Sequence, residues 1–250
     1  MPADPYADLA AHYDRFFGAW GEHDPAVAAF FRQLWAEHGV RRVLDCACGT
    51  GHDLALFAAL GCEVVGSDIS VAMLAQAARH LAGAGLNVPL HRADYRELPA
   101  HFAQPFEAVV CLSSSLLHMP DEAQALRALT SMGAALRPGG LLVLTQGTTD
   151  RQWRDKPRFL LAADTPDYTR LFVIDYVGEG ARYNIIDITR DEGHNALQSW
   201  SVDYACVLLR DDYARLLPAA GFTRATFYGG YDRQPYDIEA SRRLIVVAVR

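Results

Sequence analysis

The chain has 250 residues, of which 51% are hydrophobic and 21% are charged, as in an ordinary globular protein with one large domain. No apolar run approaches the ~20 residues of a transmembrane helix, and the first nine residues, unlike a signal peptide, carry two aspartates and no basic residue. A cytoplasmic protein with no membrane partner is therefore expected. The net charge of −7 and the lack of a Lys/Arg-rich run disfavour nucleic acid as a partner.

The N-terminal segment, residues 1–22, is rich in aromatic side chains but is interrupted by Gly and Pro, so no long helix is predicted there. Two interpretations are open: an arm that folds over a site, or a terminal segment packed on the domain. Asp24 and Pro25 then give an N-cap and a first-turn proline, and the apolar spacing up to Gly39 predicts a core-packing helix. The aromatic residues of the arm are Tyr6, Tyr13, Phe16, Phe17 and Trp20.

The stretch from Val43 to Gly51 reads VLDCACGTG. Residues 42–46 form a short apolar run that predicts a strand buried on both faces. Gly49 and Gly51 allow a sharp turn in which the backbone approaches a ligand with no Cβ in the way, and residues 52–60 are predicted to be helical. A strand, a glycine turn and a helix N-terminus together indicate a nucleotide-type ligand site at the carboxyl edge of a parallel sheet. The cysteines offer no second ligand pair at zinc spacing, so no metal site is expected.

Asp68 follows the second predicted strand, 63–67, and lies nineteen residues beyond Gly49. This is close to the spacing of about 20 expected for an acid that binds ribose hydroxyls. A carboxylate suits that role because it can accept hydrogen bonds from both vicinal hydroxyls. The alternative is an exposed acid at the end of a strand.

The alternation of strands and helices up to residue 147 predicts an α/β fold with a doubly wound, seven-stranded, mostly parallel sheet. Further strands are predicted at 88–92, 106–112 and 141–145, with a helix over 121–136. Residues 148–167 are predicted to form a surface loop, followed by three antiparallel strands at 171–177, 182–189 and 197–209. The expected organisation is an arm and helix at 1–40, a Rossmann-like domain at 41–147 and 210–250, and an antiparallel β insertion at 148–209. The insertion is expected to cover the acceptor side of the crevice, and a homodimer interface on its strands is left open.

The sequence from Asp45 to Gly51 resembles motif I of the class I S-adenosylmethionine-dependent methyltransferases, an acidic residue followed by x-x-x-G-x-G. The resemblance covers roughly 40–147 and 211–249, and is nearest to small-molecule N-methyltransferases of the glycine/sarcosine and amino-sugar types. Residues 43–53 and 111–120 carry that nearer resemblance. It implies S-adenosylmethionine as the cofactor, S-adenosylhomocysteine as the product, and a small-molecule acceptor methylated at an amine nitrogen. In that family an acid at the position of Asp94 faces the adenine amino group.

Three other functions are weighed against this one. A dinucleotide site has a third glycine three residues after the second, and Leu54 occupies that position, which disfavours an NAD-dependent oxidoreductase. The acceptor atom is not encoded in any identified residue, so O- or C-methylation stays open. A non-catalytic cofactor-binding module is the third alternative.

The candidate catalytic residue is His118, six residues past the end of the fourth predicted strand at Leu112. A histidine there can deprotonate an amine acceptor, or it can cap the following helix. Ser114 is predicted to line the acceptor pocket, and Arg158 with Tyr168 to bind an acceptor carboxylate, unless the arginine is a solvated loop residue. The predicted cofactor-binding residues are Tyr13, Asp45, Ala47, Cys48, Gly49, Thr50, Gly51, His52, Asp68, Ile69, Met73, Asp94, Tyr95 and Leu112.

Overall fold

The computed structural model describes residues 6, 9–16, 19–191 and 194–250, so Phe17 of the predicted arm lies outside the described residues. The helices in these ranges are two short 3₁₀ helices, Ala10–Phe16 and Ser115–His118, and α1 (Pro25–His38), α2 (His52–Ala59), α3 (Val71–Gly83), α4 (Leu98–His101), α5 (Glu122–Ala134), α6 (Asp150–Asp155) and α7 (Arg210–Ala219). The strands are β1 (Arg42–Asp45), β2 (Glu63–Asp68), β3 (Leu90–Arg92), β4 (Phe106–Cys111), β5 (Leu136–Gln146), β6 (Phe159–Asp164), β7 (Tyr168–Val177), β8 (Gly180–Asp191), β9 (His194–Tyr204), β10 (Arg224–Tyr228) and β11 (Leu244–Val249).

The strands form two sheets. The first has seven strands in the order β10-β11-β5-β4-β1-β2-β3, and β11 runs antiparallel to both of its neighbours. The other pairs within β5-β4-β1-β2-β3 are parallel. The second sheet has four antiparallel strands in the order β6-β7-β8-β9. The predicted α/β class, with a mostly parallel seven-stranded sheet and an antiparallel β insertion, is confirmed.

Local sequence signals set the helix ends. The Asp24 side chain accepts a hydrogen bond from the Ala26 N–H at the start of α1, as an N-cap does, and Pro25 follows it. Ser70 caps α3 in the same way, by accepting from the Met73 N–H at 3.1 Å. The helix α3 thus begins directly after the carboxyl end of β2, and α2 begins at His52, after the glycine turn that follows β1.

The core has two layers, one on each face of the seven-stranded sheet. On one face, Phe31 of α1 and Phe57 of α2 pack in a buried cluster with strand residues such as Val43. On the other face, Met132 of α5 and Leu217 of α7 belong to a second buried cluster. Both faces of the sheet are thereby covered, as a doubly wound fold requires. No helix among the described residues is long and apolar enough to cross a membrane.

The predicted bounds of several elements were wrong, with the main differences between residues 134 and 209. The surface loop predicted over 148–167 contains α6 and β6, because Thr149 caps a short helix and residues 159–164 pair with β7. The helix predicted to end at residue 136 ends at Ala134, and Leu136 instead pairs with Phe106 next to an irregularity in the β4–β5 ladder. The last insertion strand ends at Tyr204 rather than at residue 209.

Candidate active site

Two cavities adjoin at the carboxyl edge of the parallel strands and share Tyr6, Tyr13 and Val202 as wall residues. The larger cavity, about 450 Å³, lies beside the glycine turn and the ends of β2 and β3. The other, about 290 Å³, lies between the ends of β4 and β5 and the four-stranded sheet, and we call it the aromatic cavity after its six aromatic rings. The predicted cofactor-binding residues that line the larger cavity are Tyr13, Ala47, Gly49, Asp68, Ile69, Met73, Asp94 and Tyr95.

The backbone conformation of the glycine turn favours glycine at both positions. Gly49 and Gly51 have φ of +52° and +84°, in the left-handed region that L side chains rarely adopt. A Cβ on Gly49 would lie 3.5 Å from the Tyr13 ring, and one on Gly51 would lie 3.2 Å from the Ala77 side chain. The turn therefore packs closely between the arm and α3, with the Gly49 backbone exposed to the larger cavity.

Asp68 is held by two backbone donors. Its Oδ2 accepts from the Gly49 N–H at 2.9 Å, and its Oδ1 accepts from the Ser70 N–H at 2.8 Å. A carboxylate accepts hydrogen bonds through both of its oxygens, which suits donors such as ribose hydroxyls. The carboxylate is thus fixed in the wall of the larger cavity, at the position where the sequence predicts a ribose-binding acid.

Asp45 lies at the end of β1, is 2% exposed, and is absent from the described wall residues of both cavities. Burial raises its pKa well above the ordinary range, and the negative charges of Asp53 and Asp68 raise it further, against the hydrogen bond from the Ala47 N–H. A positively charged ligand group bound near the glycine turn would lower the pKa of Asp45 and favour its ionised form.

Asp94 lines the larger cavity, and its carboxylate forms an ion pair with Arg96. The Arg96 Nε lies 3.0 Å from both Asp94 carboxylate oxygens, and Arg96 Nη2 lies 2.5 Å from Oδ2. Burial acts to raise the pKa of Asp94, but the hydrogen bonds from Arg96 outweigh it and lower the pKa. Asp94, the acid that the resemblance assigns to adenine, is therefore ionised and paired with Arg96. The sequence did not predict this ion pair.

The remaining predicted cofactor residues lie around the turn rather than in the described wall of the larger cavity. Thr50 donates through Oγ1 to Asp14 at 2.5 Å, and Cys48 is buried beneath the turn. His52 and Leu112 line a third cavity of about 300 Å³, which shares Ser113 and Gly147 with the aromatic cavity. The residues outside the described wall of the larger cavity are Asp45, Cys48, Thr50, Gly51, His52 and Leu112.

His52 lies in a cluster with His23 and Asp53 at the start of α2. The potential ligand atoms of the three residues all lie within 4.8 Å of one another, so this cluster could hold a metal ion. The His52 Nδ1 accepts from the Gly21 N–H at 3.2 Å. Burial, followed by the neighbouring His23, lowers the pKa of His52.

The described part of the arm lies over both cavities. Tyr6 and Tyr13 line both of them, and Phe16 lines the aromatic cavity. Trp20 fastens the end of this segment by donating through Nε1 to the Thr50 carbonyl at 3.0 Å. Described residues of the segment 1–22 thus line both cavities, a position that fits the interpretation as an arm.

His118 takes part in a chain of hydrogen bonds. Its Nδ1 lies 3.1 Å from the Asp203 carbonyl oxygen, and its Nε2 lies 2.6 Å from the Tyr6 hydroxyl. Burial lowers the pKa of His118, against the interactions with Asp203 that raise it. The alternative role as a helix cap is wrong, because Asp121 caps α5 by accepting from the Gln124 N–H at 2.8 Å.

The predicted substrate-binding residues separate in the structure. Ser114 lines the aromatic cavity and accepts from the Gly147 N–H at 3.1 Å. Arg158 is exposed and forms an ion pair with Asp175 at 3.6 Å on the solvent side of the four-stranded sheet. Tyr168 packs near Arg15 and Arg170. Neither Arg158 nor Tyr168 is among the described wall residues of the two cavities, so they do not form the predicted carboxylate clamp.

The sequence analysis missed much of the aromatic cavity. The period-2 alternation of β7, β8 and β9 puts one set of side chains on the face turned toward the arm. That alternation could have revealed them only with the strand register known. They are Phe172, Tyr183, Ile185, Val202 and Tyr204.

Comparison with known proteins agrees with this arrangement. A family model described as "Methyltransferase domain" matches residues 43–140. The chain is 35% identical to the glycine/sarcosine N-methyltransferase of Parasynechococcus marenigrum (strain WH8102) over 144 residues, 58% of this chain and 51% of that protein. It is 29% identical to the enzyme of the same name from Aphanothece halophytica over 219 residues, 85% of this chain and 77% of that protein. The chain thus spans about half the length of the first of these relatives.

Solved structures with the same fold include two methyltransferases. CalS10, an amino pentose methyltransferase from Micromonospora echinaspora with S-adenosylmethionine bound, is 25% identical with a TM-score of 0.73, covering 100% of both chains. The sugar N-methyltransferase KedS8 from Streptoalloteichus sp ATCC 53650 is 26% identical with a TM-score of 0.72, covering 100% of this chain and 96% of that one. The glycine turn, the seven-stranded sheet and these relatives agree: residues 43–140 match a methyltransferase domain, and the chain is similar to class I S-adenosylmethionine-dependent methyltransferases.

Proposed function

We propose that this protein transfers a methyl group from S-adenosylmethionine to the amine nitrogen of a small molecule. One observation carries the proposal: a cavity beside the glycine turn adjoins a second, aromatic cavity, and the arm covers both. Such an arrangement holds a donor and an acceptor side by side and excludes water, which is most of what an in-line displacement requires. The names of the relatives, glycine/sarcosine and sugar N-methyltransferases, favour nitrogen over oxygen or carbon.

The larger cavity suits the cofactor. We assign the ribose hydroxyls to the Asp68 carboxylate and the methionine end to the Gly49 and Gly51 backbone, with Tyr13 packed against the turn. The adenine end then lies toward Met73 and Tyr95 in the wall of the same cavity. When bound, the cofactor supplies an activated methyl group on a sulfonium. The C–S bond breaks as the C–N bond forms, the sulfur keeps the bonding pair, and the product is a neutral thioether.

An amine acceptor must also lose a proton, and we propose that His118 is the general base that takes it up. The Tyr6 hydroxyl lies 2.6 Å from Nε2, so Tyr6 can pass a proton to the imidazole as it accepts one itself. Replacement His118→Asn is expected to lower kcat by about 10²–10⁴-fold. A wild-type kcat in that variant would remove His118 from the chemistry.

We assign the aromatic cavity to the acceptor. Its far wall is made by the four-stranded sheet, with Phe172, Tyr183 and Tyr204 facing inward. This supports the predicted role of the 148–209 insertion as a cover for the acceptor side.

We also propose a homodimer formed through the outer face of the four-stranded sheet. Phe159, Leu161 and Leu197 are more than 60% exposed there, and exposed apolar patches of this kind mark interaction sites. A charged row beside the patch contains Arg182 and Asp203, which bond at 2.7 Å, and the Arg158–Asp175 pair. The row contains two arginines and two aspartates, so its net charge is zero. The same face of a second copy can therefore approach it without net electrostatic repulsion.

Calorimetric titration with S-adenosylmethionine, S-adenosylhomocysteine and NAD in parallel tests the proposed class. We expect binding of the first two in the micromolar range and no heat from NAD, followed by methylated product with amine acceptors. Binding of NAD alone would overturn the methyltransferase proposal, and binding without turnover on any amine would favour a non-catalytic module.

A further inference from the structure

We infer that the acceptor is an apolar amine whose inserted part carries no carboxylate or other anionic group. This inference rests on the proposed function, because it takes the aromatic cavity as the acceptor site. It narrows the substrate class beyond what the relatives' names indicate, since glycine and sarcosine are both carboxylates.

The walls of the aromatic cavity are mainly hydrocarbon. Six aromatic rings contribute to them, together with aliphatic residues from the arm and the inner sheet face; the rings are Tyr6, Tyr13, Phe16, Phe172, Tyr183 and Tyr204. Burial raises the pKa values of Tyr13, Tyr183 and Tyr204 above the ordinary tyrosine range, so these phenols are uncharged at neutral pH. Besides the tyrosine hydroxyls, the polar side chains among the described wall residues are Ser113, Ser114, Thr148 and Gln152, all neutral.

No lysine, arginine, histidine, aspartate or glutamate occurs among the described residues that line this cavity. One candidate cation, Arg170, lies behind Phe16, whose ring centre is 3.5 Å from the guanidinium carbon. Its charge is already balanced, because Nε and Nη2 each donate to Asp187 at 2.7 Å. His118 lies in the wall of the neighbouring cavity and has a lowered pKa. A carboxylate placed among these rings would find no counter-charge on the described residues that line the cavity.

An unpaired buried carboxylate carries a large desolvation cost, whereas an ammonium meets a favourable field over aromatic faces. The neutral polar end of the cavity accommodates hydroxyl or amide groups instead. There the Tyr183 hydroxyl accepts from the Gln152 side-chain N–H at 2.7 Å and lies 3.1 Å from the Thr148 hydroxyl. The chemistry therefore selects a primary or secondary amine with a ring or branched alkyl body, with neutral hydroxyls tolerated.

The test compares two probes that differ by one carboxylate, 2-phenylethylamine and L-phenylalanine, with glycine as a third. Each is titrated calorimetrically into the full chain saturated with S-adenosylhomocysteine. We expect 2-phenylethylamine to bind at least about tenfold more tightly than L-phenylalanine, and glycine to give no heat. Equal or tighter binding of L-phenylalanine or glycine would overturn the inference, as would no binding of 2-phenylethylamine to the saturated protein.

The saturation step separates this inference from the proposed function. A protein that does not bind S-adenosylhomocysteine contradicts the proposed function itself, before any acceptor is added.

A matched pair of variants adds an internal check. Gln152→Arg introduces a guanidinium into the neutral end of the cavity, and Gln152→Met removes the same hydrogen bond to Tyr183 without adding charge. We expect the arginine variant alone to improve binding of L-phenylalanine relative to 2-phenylethylamine, by about tenfold or more. The same relative affinities in both variants would show that charge in the cavity does not set the preference.

Discussion

At the residue scale, the hydrogen bonds of His118 determine which of its nitrogens carries the proton. The Asp203 carbonyl oxygen can only accept, so the Nδ1 carries the hydrogen and the Nε2 lone pair faces the Tyr6 hydroxyl. Burial favours this neutral imidazole by lowering the pKa of His118. At physiological pH the imidazole is therefore neutral, and its Nε2 lone pair can accept a proton by way of the Tyr6 hydroxyl.

We therefore predict that an NMR titration of the imidazole nitrogens places the pKa of His118 below the ~6.5 of an ordinary histidine. In Tyr6→Phe the neutral ring loses the hydrogen bond to its lone pair, so the His118 pKa should rise toward the ordinary value. Tyr168→Phe removes a hydroxyl far from His118 and serves as the control, with no change expected. A wild-type pKa at or above 6.5, or the same titration in Tyr6→Phe, would contradict this assignment.

Gly51 supports a second prediction at this scale. Gly51→Val puts a branched side chain at φ +84° and 3.2 Å from Ala77, so we expect cofactor binding to be abolished in calorimetry. The chain offers a matched control: Gly61 has nearly the same φ of +83° but nothing within 4 Å of its Cβ position. Both valine variants should lose stability by about 1–2 kcal/mol from the left-handed backbone, but only Gly51→Val should lose affinity. Unchanged affinity in Gly51→Val would displace the cofactor from the turn.

At the element scale, the inner face of the four-stranded sheet fixes the arm. Arg170 and Asp187 form a fully buried ion pair between β7 and β8, with two contacts of 2.7 Å. The Phe16 ring stacks on this guanidinium, so the pair connects the sheet to the segment that covers both cavities. One atom, Arg170 Nη1, is buried without a hydrogen-bond partner. The arrangement of the acceptor side thus depends on an ion pair between strands.

This pair gives a stability prediction. Arg170→Met leaves the Asp187 carboxylate buried without its counter-charge, so we expect a loss of about 3–5 kcal/mol in urea denaturation. The double variant Arg170→Met/Asp187→Leu should recover most of that loss. Arg182→Met removes an exposed arginine that pairs with Asp203, and its denaturation midpoint should match that of the wild type. Equal losses in the single and double variants would mean that the charge of Asp187 is not the cause.

At the scale of the whole molecule, the outer face of the four-stranded sheet is the surface that most resembles an unpartnered interface. Strand register aligns Leu161 with Leu171 and Ile188 with Leu197 on this face, so the apolar side chains form one continuous patch. An isologous contact would pair the patch with itself and cover the exposed edge of β6.

We expect sedimentation analysis to show a dimer, and Leu161→Lys to convert it to a monomer with the fold intact. In an isologous contact each copy contributes the same patch, so the lysine places an unpaired charge in the apolar interface twice. Ile238→Lys is the control, because Ile238 is also exposed and apolar but lies in the loop between β10 and β11. A monomeric wild-type protein would contradict the proposed interface.

The amino-acid sequence by itself determined the part of this protein that depends on short-range pattern. The run Val43–Gly51 folds as a strand, a turn and a helix start because two left-handed positions are occupied by glycine. Asp68 follows β2 at the spacing that one βα unit imposes, and the alternation of elements determined the parallel sheet.

The tertiary structure alone decided the acceptor side. Strand register between β6 and β9 sets which side chains face inward, and a shift of one residue would exchange the two faces. That register turns Phe172 and Tyr183 toward the aromatic cavity, and Arg158, directly before β6, pairs instead with Asp175 on the solvent side. The Tyr6–His118 contact likewise joins residues 112 positions apart, which no local pattern encodes. Short-range periodicity determines where helices and strands form. Which distant segments pair with one another depends on how the whole chain buries its apolar side chains.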